Sequence, residues 1–190
     1  MSSPAGTGYD LEAAVGLLIA DNTAFTARSA LRALGYQELD EVRRATLYRL
    51  QLDRTARSPE DVVAALMRAE VLFNPNKHQL SYAGVHERSS LPDSTEGRAA
   101  YEAVVFDLDD DSSRLASLLQ EHFGLTELSS LSRGIAWTLF EGGAGAGADR
   151  HRWACAQLLC NPYSQSFEVR QAPLRSVVRE LVPRPANQGG

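Results

Sequence analysis

VGLLIADNTAFTARSALRALGYQELDEVRRATLYRLQL, from Val15 to Leu52, and VVFDLDDDSSRLASLLQEHFGLTELSSLSRGIAWTLFE, from Val104 to Glu141, decide how this chain is read. The two stretches align without a gap. Val15 falls on Val104, Gly35 on Gly124, Glu38 on Glu127 and Val42 on Leu131, while Arg44 falls on Arg133, Tyr48 on Trp137 and Leu50 on Leu139. A self-match at one offset is weighed first, because a missed repeat misreads the whole fold. Outward from this core, each copy runs on to the same punctuation: an apolar group (Val71-Leu72-Phe73, Leu158-Leu159-Cys160) and then Asn-Pro, at Asn74-Pro75 and Asn161-Pro162.

Each copy reads as strand–helix–strand–helix–strand. In the first, LEAAVGLLIA (Leu11–Ala20) is a buried strand, and Asp21-Asn22-Thr23 offers helix caps. Phe25, Ala27, Ala30, Leu31 and Leu34 then share a helical face that Gly35 stops. Leu39–Leu52 is a long strand. Ser58-Pro59-Glu60-Asp61 opens a second helix, with a serine cap, proline in the first turn and acids against the dipole. That helix buries Val62, Ala65, Leu66, Ala69 and Leu72, and a strand over Gln79–Ala83 closes the copy. The second copy gives strand 101–108, helix 111–123, strand 127–141, helix 148–160 and strand 165–170, with Gly142–Ala148 as a flexible connector. Leu174, Val177, Val178 and Leu181 have the spacing of a short terminal helix before Pro183. The chain divides into repeat one at 10–83, a polar linker at 84–99, repeat two at 100–171 and a tail at 172–190. One face of each antiparallel sheet is expected to carry helices and the other to meet the second sheet, giving an α+β pseudo-dimer.

Composition narrows the function classes. The net charge of −5 disfavours nucleic acid as a partner, since phosphate binding needs a basic face. There is no apolar run of about 18 residues for a membrane span, and the first residues lack the pattern of a signal peptide. The expected compartment is cytoplasmic, and Cys155 and Cys160 are expected as reduced thiols.

The ordered set resembles PurS, the small accessory subunit of phosphoribosylformylglycinamidine synthase in purine biosynthesis. ALRALGY (Ala30–Tyr36), the arginine-bearing strands VRRATLYRLQL (Val42–Leu52) and LSRGIAWTLFE (Leu131–Glu141), and LLCNPYSQSFEV (Leu158–Val169) carry the likeness, with VLFNPNKHQLSYA (Val71–Ala83) as its weaker counterpart. SRGIAWTLF is also similar to a strand in the N-terminal region of the large single-chain form of that enzyme. The loops after the first strands, ADNTAF and DLDDDSS, are shorter than those of single PurS subunits and lack their basic residue. The resemblance implies an accessory protein with no catalytic, cofactor or metal site of its own. It would bridge a PurL-like synthetase and a PurQ-like glutaminase during ammonia transfer, and self-association through its sheets is a further expectation.

Six residues stand out as partner-binding candidates: Arg44, Tyr48, Asn74, Arg133, Trp137 and Asn161. Tyr48 and Trp137 serve either as sheet packing or as aromatic anchors at an interface. Arg44 and Arg133 either bridge to a partner's carboxylate or stand solvated. Asn74 and Asn161 end helices, since residues before proline avoid helical geometry, or else present to a partner. Two rival classes remain. One is a regulatory module sensing a small molecule between the halves. The other is a Mg²⁺-dependent phosphatase using Asp107 and Asp109 of VVFDLDDD, against which an acidic strand end followed by a helix cap is the simpler reading. Gly142–Gly147 lacks the GK[ST] ending of a phosphate loop. His78, His86, His122 and His151 have no metal-ligand spacing.

Overall fold

The computed structural model describes residues 8–53, 57–84 and 101–178. The linker expected at 84–99 falls outside these residues except for Gly84, and His86 lies outside them as well. The described chain is α+β. Its strands are β1 (Tyr9–Leu17), β2 (Leu39–Leu52), β3 (His78–Gly84), β4 (Tyr101–Asp107), β5 (Leu128–Glu141), β6 (Ala144–Gly145), β7 (Gln165–Gln171) and β8 (Ser176–Val177). Its helices are α1 (Asn22–Ala33), α2 (Pro59–Arg68), α3 (Ser113–Phe123) and α4 (Ala148–Ala154), the last continuing as a π turn over Cys155–Leu159.

Local chemistry sets these boundaries. Asp21 Oδ1 accepts from the backbone N–H groups of Thr23 and Ala24 at 2.9 and 3.1 Å, capping α1. Ser58 and Asp61 form a reciprocal capping box at the start of α2, with proline in its first turn. α3 ends on Gly124 in a left-handed conformation. Gly142 and Gly143, with φ of 57° and 81°, turn β5 back into β6, where Glu141 pairs with Ala144. The Gly-rich stretch is therefore an ordered hairpin rather than the flexible connector expected, because two consecutive glycines supply the positive φ values that such a tight turn demands.

All strands belong to one antiparallel sheet in the order β7-β4-β5-β2-β1-β3-β8, with β6 beside β5. The halves join along β2 and β5, with Arg44 opposite Trp137, Thr46 opposite Ile135 and Tyr48 opposite Arg133. They thus meet edge to edge, and not as two sheets face to face. Two long strands with free ladder edges satisfy their backbone groups best by pairing with each other.

The register also corrects the gapless alignment. Val15 faces Thr46, but the residue facing Ile135 from β4 is Val105, so the first strands are matched one residue away from Val15 and Val104.

Helices cover one face in two groups. α2 and α3 pack together over Leu11, Ala13, Tyr48, Leu50 and Leu52. α1 packs against the π turn after α4, over Leu39, Val42, Ala103, Trp137 and Leu139. Each group therefore draws one helix from either half.

The opposite face is concave. Arg170 on β7 reaches Glu12 on β1 at 2.5 Å, although four strand spacings separate them in the sheet. A flat sheet would hold those strands about 19 Å apart, so the sheet curls strongly about this face. The chain then crosses from one edge of the sheet to the other between Gln171 and Ser176, and β8 pairs with β3 through Ser81 and Val177. This overturns the terminal helix expected from Leu174, Val177 and Val178; Leu181 lies outside the described residues. Val178 N–H donates to the Leu80 carbonyl at 3.0 Å. Pairing with an open strand edge outweighs the weak helical preference of a short segment rich in valine.

Candidate functional site

The four candidates on the long strands pair crosswise. Arg44 donates from Nε to Asp21 Oδ2 at 3.0 Å, and its guanidinium lies 5.9 Å from the Trp137 ring centre. Arg133, opposite Tyr48, donates its backbone N–H to Asp110 Oδ2 at 3.0 Å, while its side chain stays 52% exposed. Tyr48 and Trp137 are each 7% exposed and belong to the two helix-covered cores. Burial pushes the Tyr48 phenol up despite the opposing charge of Arg133. These aromatics fill the fold and offer a partner little surface.

The two Asn-Pro turns share one hydrogen-bond pattern. Asn74 Oδ1 accepts from Asn76 N–H at 3.0 Å, and Asn161 Oδ1 from Tyr163 N–H at 3.1 Å. The Asn74 carbonyl accepts from the N–H groups of Lys77 and His78, and the Asn161 carbonyl from those of Ser164 and Gln165. Each side chain is spent on its own turn, as is usual for asparagine at such a position.

The concave face carries a group that sequence reasoning missed. Glu12 on β1 and Glu102 on β4 are 2% and 0% exposed. Arg170 grips both: NH1 and NH2 donate to Glu12 at 2.6 and 2.5 Å, while Nε and NH2 donate to Glu102 Oε1 at 2.9 and 2.6 Å. Arg175 donates to both oxygens of Glu102 at 2.8 and 2.9 Å. Arg49 donates to Glu12 at 2.8 Å, bonds Glu168 on β7, and lies over the Phe106 ring at 4.7 Å. Burial raises the Glu12 carboxyl, but hydrogen bonds and charge from Arg170 and Arg49 outweigh it and hold the group below its ordinary value. Desolvation opposes the charge on Arg170, and its two carboxylates more than compensate, so its pKa stands above the usual one. Three arginines and three glutamates thus tie β1, β2, β4, β7 and the crossing segment into one charge-balanced network, in which only the Nε of Arg175 is buried without an acceptor. The available signal was Glu12 within the apolar run Leu11–Leu17, a residue type that is rarely buried unless paired.

The network separates two clefts on this face. The larger, about 1030 Å³, has a floor that includes Ala14, Gly16, Ala45 and Ala136 and is bordered by residues 172–177. The smaller, about 450 Å³, lies beside Glu12, Arg49, Ser132 and Arg170. Every network carboxylate is held by arginine, and among the described residues no group of three or more His, Cys, Asp or Glu side chains could hold a metal.

Asp107 ends an antiparallel strand and accepts from Gln165 at 2.8 Å, whereas the phosphatase reading needs the strand end of a parallel, doubly wound sheet. His151 is fully buried with both ring nitrogens engaged, by Gly147 O at 3.0 Å and Leu139 N–H at 3.2 Å. Cys155 and Cys160 are free and buried; burial pushes the Cys155 thiol up to about 12, far from a reactive thiolate. No helix among the described residues is long and apolar enough to cross a membrane.

Comparison with known proteins matches the chain to no protein-family model and to no curated protein.

Proposed function

We propose that this chain is a tandem PurS-like protein, a non-catalytic accessory component of a phosphoribosylformylglycinamidine synthase complex. It bridges a PurL-like synthetase and a PurQ-like glutaminase and supports ammonia transfer between them. Its two halves act as an intramolecular pseudo-dimer, so that one chain stands where two small subunits would otherwise assemble.

The observation that carries this reading is the register of β2 on β5. Matching Arg44 with Arg133 and Tyr48 with Trp137 makes the pair Arg44–Trp137 the counterpart of the pair Tyr48–Arg133. The same relation turns Val42–Leu139 into Leu50–Leu131 and leaves Thr46–Ile135 at the centre. Such exchange of partners is what a two-fold axis between equivalent units produces. Two further features support it: the shared hydrogen bonds of the Asn74 and Asn161 turns, and the mixed origin of both helix groups.

The test is reconstitution with the cognate synthetase and glutaminase. Co-elution of the three proteins is expected, together with a rise in glutamine-dependent product formation while the ammonia-dependent rate stays constant. Separate elution with no change in the glutamine-dependent rate would refute the proposal.

A further inference from the structure

The larger cleft has a charge pattern that the accessory role does not use. Both halves build it: Gly16 and Ala45 from β1 and β2, Ala136 and Thr138 from β5, and the crossing segment over Ala172–Val177. Side chains on its floor are small, which leaves the space open. Its border gathers large apolar side chains that stand exposed, namely Leu17, Ile19, Phe25, Leu174 and Val177. Scattered surface leucines are ordinary, but apolar groups collected around one concavity mark a binding site.

Four arginines line this cleft, and three of them are neutralised within it. Arg44 pairs with Asp21 at 3.0 Å, Arg43 with Glu41 at 2.7 Å and Arg175 with Glu102 at 2.8 Å. Arg28 has no carboxylate partner among the described residues. It donates from NH1 to the Asp40 carbonyl at 2.9 Å and stacks over the Phe25 ring at 5.1 Å. Its Nε is buried without an acceptor, as is the Nε of Arg175, which also lines the cleft. Unpaired buried donors are uncommon in folded proteins and costly.

We infer that this cleft binds a small monocarboxylate with an extended apolar body. The carboxylate meets the guanidinium of Arg28, the one uncompensated charge, and the apolar body lies along the alanine floor beneath Phe25 and Leu174. A dianion such as phosphate suits the site less well, because four arginines against three carboxylates leave a single positive charge. This binding is independent of the assembly role proposed above and needs neither partner subunit.

Isothermal titration of the purified chain with decanoate tests it, with acetate, decanol and inorganic phosphate as separate arms. Decanoate is expected to bind one to one, and each of the other three at least about tenfold more weakly. Arg28→Gln should weaken decanoate about ten- to hundredfold, the loss of one charge-assisted hydrogen bond, while Arg114→Gln on the distant face of α3 changes nothing. Ala45→Leu fills the floor and should abolish binding; Thr138→Leu on the facing strand replaces it if that variant does not give a wild-type circular dichroism spectrum. Absence of decanoate binding, equal binding by Arg28→Gln, or phosphate binding as tightly as decanoate would each overturn the inference.

Discussion

Replacing Arg170 by leucine isolates what holds the curled sheet closed. Arg170 is the only described side chain that hydrogen-bonds both buried carboxylates, Glu12 and Glu102, with four contacts between 2.5 and 2.9 Å, while Arg175 reaches Glu12 as an ion pair at 3.8 Å. Leucine fills part of the volume and leaves Glu102 to Arg175 and Glu12 to Arg49. Breaking a buried pair by removing one partner costs about 3–5 kcal/mol, because a desolvated charge loses its counter-ion. The guanidinium keeps some solvent contact and each carboxylate keeps a second arginine, so about 3 kcal/mol is expected. For a chain of this size that lowers Tm by roughly 6–12 °C. Urea denaturation at pH 7, followed by circular dichroism, measures it directly. Adding Glu12→Gln to Arg170→Leu should recover part of the loss, giving a coupling of about 1–3 kcal/mol. The acid limb provides a second reading. Because the Glu12 carboxyl is depressed when folded, its contribution is complete above its unfolded value near 4.5 and is lost as pH falls through the folded value. A variant within 0.5 kcal/mol of wild type, or additive double-mutant energies, would refute a closing role for the network.

Further perturbations address the helices, the sheet and a second titration. Ser58→Ala removes the cap of α2, whose hydroxyl accepts from Asp61 N–H at 3.2 Å; about 1 kcal/mol is expected in the same denaturation assay. Gly134→Ala places a methyl group 2.9 Å from the Val105 carbonyl and 3.0 Å from the Phe106 ring, so a loss of about 1–3 kcal/mol is expected, and a neutral result would mean β4 shifts freely on β5. His151 is neutral in the fold: burial lowers its pKa, and the bond to Gly147 O only partly offsets that. Its stabilising contribution is complete above pH 6.5 and falls below it by up to about 1.4 kcal/mol per pH unit until the folded value is reached. Unfolding free energies at pH 7.5, 6.5 and 5.5 should show this slope, and His151→Gln should flatten it; the loss begins as pH falls below 6.5, whereas that of Glu12 begins near 4.5.

Local punctuation made much of the element order legible. Asp21 and Ser58 cap where their side chains and spacing indicate, and Val62, Ala65 and Leu66 are buried on α2 as their helical spacing requires. Ala69 and Leu72 are buried too, but α2 ends at Arg68 and the chain reaches Asn74 through a turn, so the helix is shorter than expected. Long-range pairing was not legible, because nothing local to Leu39–Leu52 says whether its free edge meets Leu128–Glu141 or solvent. The first strand shows the limit of matching residue types. Val15 and Val104 are both buried valines in apolar runs, yet Val15 lies under the helices and Val104 on the concave face. A one-residue slip moves every side chain of a strand to the other face. An apolar run buried on both faces conceals the slip. On the repeat reading proposed above, Glu12 and Glu102 disclose it, since the corrected register makes them counterparts.

The same register explains why a single arginine serves both glutamates. Arg170 faces Glu102 from β7, and the residue facing Glu12 from β3 is Ala83. Alanine leaves room beside Glu12, and Arg170 enters that room from across the sheet. Two arginines there would crowd like charges around the same two glutamates; two alanines would leave each carboxylate with one counter-ion fewer, Glu12 on Arg49 and Glu102 on Arg175. An association of identical subunits must repeat each residue on both sides of its axis. On the reading proposed here, joining the halves in one chain removes that constraint, and the chain uses the freedom at its most buried charges. The crossing segment follows directly from Arg170, carries Arg175 to Glu102 and delivers β8 to the edge of β3. Closure of the sheet and formation of the large cleft are therefore one event, and the Arg170→Leu variant should weaken decanoate binding even though Arg170 does not line that cleft.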